Sequence, residues 1–399
     1  MLRNAASRAF AVLLALALPV AAQDYGVSGE GVAGRASVRP DGTFSLQLTR
    51  FSRDGATTSE VSGRVASRSA GELQLSYERV VSVERSILDV IRGIPATRRE
   101  RVTSKLLATG AGWNGEVDGV VATWVDQSAI GADTVVLVVP GLSTNLWNQY
   151  DVPYLDENLA ALRARGLSAR RLAINTEESI AVNAAAVARE VRAEVARGKK
   201  VLLLAHSKGG ADTVTALADP ANRDLLPHVR GLMTIQPVYG GSPISDLVGT
   251  NCLIQASVDQ FFERVLPVVN RVDDEGSRDA VRDLRSEARQ ASLREHPYPV
   301  DRVPTVVLRS SFSGRPMFRP RHVLRKPLWV FQKFLEKTKD GLQSDGMVSL
   351  EWQRIPGAAA EITLSDMDHF EPGFRGESPH SPCEVTNLLL DRTLEVLGR

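Results

Sequence analysis

The chain has almost no excess charge of either sign. Its 399 residues hold 48 Lys and Arg against 47 Asp and Glu, a formal net charge of +1. Recognition of nucleic acid rests on surplus basic charge, so this balance argues against such a partner. Low-complexity tracts are missing too. With 43% hydrophobic and 24% charged residues the composition is globular, which excludes disordered and collagen-like chains. Only six histidines are present, so few residues can serve as an imidazole base. Past the N-terminus no run approaches the roughly 20 apolar residues that span a bilayer. One internal echo exists: Gly34, Arg35, Arg39, Gly42, Leu46 and Arg50 recur as Gly63, Arg64, Arg68, Gly71, Leu75 and Arg79. Two copies do not make a solenoid, which needs at least three.

What is there begins with an export signal. Arg3 and Arg8 precede the apolar run 9–18, Pro19 breaks it, and Val20, Ala21 and Ala22 supply small residues for a peptidase. This predicts a signal peptide over residues 1–22, cut near Ala22, and a mature chain in the periplasm or outside the cell. Cysteine is scarce, with only Cys252 and Cys383. In an oxidising compartment the two can form one bridge, which would tie the segment after Cys252 to the C-terminus. Neither stands beside a histidine, so neither reads as a nucleophile.

Residues 23–127 read as a small antiparallel β domain with a linker. Alternating residues surround the turn Pro40-Asp41-Gly42-Thr43, and the echo repeats that pattern. Residues 86–94 suit a short helix, Arg98-Arg99-Glu100-Arg101 an exposed charged link, and residues 117–125 a strand. Trp113 and Trp124 are expected to pack this sheet against the next domain.

From residue 128 to 399 strand and helix alternate. Val135 to Val139 is an unbroken β-branched and leucine run, the pattern of a strand buried on both faces. Further strands are expected at 170–174, 201–205, 229–235, 305–309 and 361–364, with helices at 155–165, 180–197, after 206 and at 385–397. This predicts a mostly parallel sheet with helices on both faces. Residues 248–302 leave the pattern. They are read as a helical cap, with an amphipathic stretch at 258–269 and a charged helix at 278–293. A helical excursion that buries its own face is the alternative.

Ala205-His206-Ser207-Lys208-Gly209-Gly210 sits where a buried strand meets a helix. It has the G-x-S-x-G nucleophile-elbow pattern, with alanine at the first glycine. The turn needs small residues on both sides of Ser207 because the backbone passes close to itself. Here the chain resembles the α/β-hydrolase fold, and within it the secreted bacterial lipases and esterases, over about residues 133–399.

Three further stretches carry the resemblance. Val139-Pro140-Gly141-Leu142-Ser143 is similar to the oxyanion loop of those lipases, with Pro140 in place of a histidine. The likeness implies oxyanion donors in the backbone N–H groups of Leu142 and Lys208. Gln236 to Leu247 resembles the stretch after the next strand, with Val238 replacing a histidine; it is expected to shape the pocket and start the cap. Ser344-Asp345-Gly346-Met347-Val348 looks like the turn that carries the acid, so the acid maps onto Asp345, with Asp340 as competitor. The base maps onto His369, just past the last strand, with His380 as rival.

A Ser207–His369–Asp345 triad implies cleavage of carboxylic esters through an acyl-enzyme, with no cofactor and no metal. The substrate would be a small-molecule or lipid ester. Thioesterase, polyester depolymerase, acyltransferase and peptidase chemistry stay open on the same triad, as does a non-catalytic binding scaffold. The basic stretch 315–326, with Met317 and Phe318 inside it, suits peripheral contact with an anionic lipid surface; a solvated loop is the alternative. The oligomeric state is left open.

Overall fold

The computed structural model describes residues 22–82, 97–109, 112–142, 144, 147, 152–247, 275–312, 325–338, 342–376 and 378–398. The signal segment 1–21, the helix expected at 86–94, the amphipathic stretch 258–269, Cys252, Asp340 and residues 315–324 lie outside the described residues. The chain falls into two compact units, residues 1–50 with 56–127, and 51–55 with 128–399.

The first unit is a closed antiparallel barrel of eight strands: β1 (Gln23–Gly29), β2 (Val32–Val38), β3 (Thr43–Ser52), β4 (Gly55–Arg68), β5 (Glu72–Ser82), β6 (Thr97–Thr109), β7 (Gly112–Val117) and β8 (Val120–Asp126). Closure comes from β1, which pairs with both β2 and β8. Alternation fills the interior: Phe44, Leu46 and Leu48 are buried, while Ser45 is exposed. The echo seen in the sequence is two successive hairpins, β2–β3 and β4–β5. Two expectations are corrected. Arg98 to Arg101 is no link: it lies in β6, paired with Val81 to Glu78 of β5. Arg99 and Arg101 are exposed on the barrel exterior, so a strand with one wet face passed for a loop. Trp113 and Trp124 do not turn toward a second domain. They belong to the barrel core, where Trp113 Nε1 donates to Tyr25 Oη at 3.4 Å.

The second unit holds a six-stranded sheet in the order β10-β9-β11-β12-β13-β14. Its strands are β9 (Thr134–Val139), β10 (Ser168–Arg171), β11 (Lys200–His206), β12 (Val229–Ile235), β13 (Thr305–Ser311) and β14 (Ala360–Ser365). Every neighbouring pair is parallel. All of β9 is buried, so both faces of that strand are covered. The helices are α1 (Asp156–Ala164), α2 (Ile180–Ala196), α3 (Lys208–Ala218), α4 (Pro243–Leu247), α5 (Glu275–Asp283), α6 (Ser286–Glu295), α7 (Arg325–Thr338) and α8 (Pro382–Leu397). α2 and α3 pack on β11, while α8 packs on β12, β13, β14 and α1.

One more expectation changes. The charged helix at 278–293 is two helices that break at Leu284 and Arg285. Leu284 is buried, its carbonyl accepts from Ser242 N, and Asp246 accepts from the N–H and hydroxyl of Ser286 to start α6 afresh. Cys383 is a free thiol among the described residues, and its expected partner Cys252 lies outside them. It is buried in the first turn of α8, where Asn387 Nδ2 approaches its sulfur at 3.6 Å. Burial, then the carboxylates of Glu157 and Glu384, push this thiol upward, away from the reactive thiolate.

Candidate active site

Ser207 stands between the end of β11 and the start of α3, with φ 56° and ψ −125°. A non-glycine residue at positive φ stores roughly 1–3 kcal/mol of strain. The turn is held by Ser207 N donating to Ile235 O at 3.0 Å and Gly210 N donating to Ser207 O at 2.9 Å. Gly209 has no alternative: a Cβ there would lie 2.5 Å from the carbonyl oxygens of Val139 and Pro140. The small residues of the motif are therefore a packing demand, set by the loop after β9 crossing the elbow.

Ser207 Oγ lies 2.7 Å from His369 Nε2, and His369 Nδ1 lies 2.8 Å from Asp345 Oδ2. A carboxylate can only accept, so Nδ1 carries the ring proton and Nε2 is left to accept from the serine hydroxyl. All three residues are buried. His369 is set in place by its own backbone, whose N–H donates to Asp345 O at 2.9 Å. The rival His380 is half-buried, with its backbone N–H on Ser378 Oγ, while His369 is the ring that faces Ser207.

Asp345 occupies a tight turn. Its Oδ1 accepts from Met347 N at 2.9 Å and Val348 N at 2.8 Å. Gly346 follows at φ 96°, and a Cβ there would come 2.8 Å from Leu328 Cβ. These contacts explain the Asp-Gly-x-Val spacing: the carboxylate closes its own turn and presents one oxygen to the imidazole. That oxygen also accepts from Gln353 Nε2 at 3.2 Å.

The loop after β9 lies against Ser207. A Cβ on Gly141 would come 2.9 Å from Ser207 Cβ. Gly141 N–H is spent on Tyr154 Oη at 3.0 Å, and Gly141 O accepts from Thr144 Oγ1 at 2.8 Å. Leu142 comes next, its side chain packed with Ile180, Ala211, Val238 and Val348. Val238, in the stretch expected to shape the pocket, thus shares a wall with Leu142. The Lys208 side chain runs inward to Asp212 at 2.9 and 3.0 Å. Burial raises Asp212 to about 6, against the pull of Lys208, and lowers Arg289 to about 10, against that of Asp212.

Sequence reasoning missed three residues. Gln353 braces Asp345. His206 is buried and hydrogen-bonded on both ring nitrogens. Tyr154 is its partner. Beside them Trp147, Phe370 and Phe374 form an aromatic group, with the Phe370 ring 5.8 Å from that of His369. Among the described residues no group of three His, Cys, Asp or Glu is arranged to hold a metal ion.

No protein-family model and no curated protein matches the chain. Among solved structures it is similar to a metagenomic carboxyl esterase, MGS0156, at TM-score 0.50 and 20% identity, over 66% of this chain and 76% of that one. It is also similar to the mature Bacillus licheniformis lipase BlEst2, at TM-score 0.45 and 20% identity, over 60% and 86% of the two chains. Lipase 1 from Pelosinus fermentans follows at TM-score 0.47 and 14% identity, over 65% and 98%. The likeness to the metagenomic protein shows the fold: the second unit has the α/β-hydrolase fold.

Proposed function

We propose that this chain, an α/β-hydrolase in fold, is an exported serine hydrolase that cleaves carboxylic esters in lipase-like fashion. One observation carries the reading. Ser207 Oγ, held on a strained turn, meets His369 Nε2 at 2.7 Å, and His369 Nδ1 meets Asp345 Oδ2 at 2.8 Å. A serine hydroxyl is a weak nucleophile until a base takes its proton. In this reading His369 takes it as Oγ attacks the ester carbonyl, and Asp345 stabilises the imidazolium. Backbone N–H groups of Leu142 and Lys208 receive the oxyanion. His369 then protonates the departing alcohol, leaving the acyl group on Ser207. Water, deprotonated by the same ring, releases the acid and restores the hydroxyl.

An ester as the bond follows the carboxyl esterase of like fold. Export rests on the N-terminal signal pattern. A lipid surface as the place of attack rests on the basic stretch 315–326.

A fluorophosphonate probe tests the core of this reading. Wild type should be labelled and should hydrolyse p-nitrophenyl esters, and Ser207→Ala should do neither. Chain-length profiling of those esters, with thioesters and peptides alongside, separates lipase from short-chain esterase and from the other acyl chemistries. Labelling that survives in Ser207→Ala, or a wild type inert to every ester, would overturn it. Sequencing the exported protein should find Gln23 at its N-terminus.

A further inference from the structure

Gly141, Tyr154, His206 and His369 are joined by hydrogen bonds whose directions follow from chemistry alone. Gly141 N–H can only donate, so Tyr154 Oη accepts it at 3.0 Å. The hydroxyl keeps its own proton for His206 Nδ1, at 2.5 Å. The second ring nitrogen must then carry the imidazole proton. It faces two acceptors, the carbonyl oxygen of His369 at 3.1 Å and Gln236 Oε1 at 3.2 Å. Gln236 Oε1 is fixed as an acceptor because its Nε2 donates to Asp368 O at 2.9 Å and to Ser310 Oγ. Tyr154 and His206 are both about 2% exposed, so these bonds are shielded from bulk solvent.

The two ends of this series are the parts that must be held at a fixed separation. Gly141 immediately precedes Leu142, and His369 carries the base. The loop after β9 has no strand or helix to stiffen it at Gly141. Tyr154 is itself anchored: Arg171 Nη1 donates to its carbonyl at 2.5 Å, and Leu155 behind it is held at φ 62°. An oxyanion donor helps only if it is aimed before the charge develops, and misplacement by about 1 Å costs on the order of 100-fold.

We propose that Tyr154 and His206 are positioning residues, a hydroxyl–imidazole tie that sets the oxyanion loop against the backbone of the base. The proposal rests on the ester-hydrolase reading of Ser207. It differs from a packing role, because Tyr154→Phe would keep the ring against His206 and Phe374 and lose only the hydroxyl.

The test uses the full chain, p-nitrophenyl butyrate, and active sites counted with a fluorophosphonate. Tyr154→Phe should lower kcat per counted site by about 10- to 100-fold with KM changed less than about 3-fold. The Ki of an alkyl boronic acid, whose tetrahedral adduct uses the same donors, should rise in proportion to the loss in kcat/KM. His206→Gln, which retains an N–H that can reach His369 O, should keep several-fold more activity per site than His206→Ala. This pair decides the matter should Tyr154→Phe fail to fold. Unchanged kcat per counted site in the folded variants, or losses confined to KM or to the number of sites, would overturn the tie and leave the hydrolase reading standing. A wild type that neither labels nor hydrolyses would overturn both.

Discussion

Gln353 donates its amide to Asp345 Oδ2 at 3.2 Å, the same oxygen that accepts from His369 Nδ1. Its other end is equally occupied: Gln353 Oε1 accepts from Ser310 N at 2.8 Å, and Nε2 also reaches Ser310 O and Val348 O. One buried amide thus joins the acid turn to β13. Gln353→Leu keeps the volume and removes every one of these bonds. The Ser310 N–H would be left without its acceptor, a cost of roughly 1–3 kcal/mol. With its brace gone, Asp345 would hold the imidazole less firmly. We expect lower kcat per active site and a lower melting temperature, read by active-site titration and thermal unfolding. Gln353→Glu should be worse for activity, because it sets a second carboxylate against Asp345.

The strain at Ser207 predicts a trade between stability and activity. Ser207 sits at φ 56°, a conformation glycine adopts without penalty. Ser207→Gly should therefore abolish labelling while raising stability by about 1 kcal/mol, from relief of the turn. Ser207→Ala abolishes labelling too and keeps the strain, so it should not stabilise to the same degree. Thermal melts of the two variants measured together check the difference.

The sequence carried the parts of this site whose chemistry is local. Ala205, Gly209 and the strand before them are legible because the elbow's backbone forbids larger groups, and residues 135–139 because a doubly covered strand needs continuous apolar side chains. Asp345 is reached through the likeness of Asp345-Gly346-Met347-Val348 to the acid turn of lipases, and the structure shows the local reason for that spacing, a carboxylate that closes its own turn. Tyr154 and Gln353 carry no such mark. Each acts through one contact distant in sequence, Tyr154 on His206 and Gln353 on Asp345, and an ordinary Tyr or Gln looks the same wherever it falls. The two tryptophans of the barrel were misplaced for a related reason. Periodicity tells that a residue is buried, not against which neighbour.

Burial also makes acid sensitivity predictable. His206 is held neutral, its pKa lowered to about 3, first by the loss of solvent and then by the neighbouring His369. An unfolded chain would protonate the same ring near its ordinary 6.5. The unfolded state therefore binds more protons between those values, and stability falls as pH drops from about 6.5 toward 3. By pH 5 the cost from this group is on the order of 2 kcal/mol. His206→Gln lacks the titrating group. Its melting temperature should start lower at pH 8 and decline less steeply between pH 6.5 and 5 than that of wild type.

Lys208 and Asp212 make the last prediction, because their charges are buried directly behind Ser207. The ammonium reaches both carboxylate oxygens, at 2.9 and 3.0 Å, and both side chains are almost wholly inaccessible. Such a pair contributes little net stability, since the attraction mainly offsets the desolvation of two ions. Breaking it is a different matter. Lys208→Met leaves the buried Asp212 carboxyl with Arg289 and Asn183 but without its ammonium partner, at a cost of about 3–5 kcal/mol. Asp212→Leu strands Lys208 in the same way. The double variant Lys208→Met with Asp212→Leu removes both charges, so it should recover part of the stability lost by either single change, the remainder being the loss of Asp212 beside the buried Arg289. The N–H of residue 208 survives in all three, since methionine carries the same backbone donor. If that N–H is what receives the oxyanion, the folded double variant should keep its activity per counted site within a few-fold of wild type. A folded double variant that labels but barely turns over would instead assign the Lys208 ammonium a part in the chemistry.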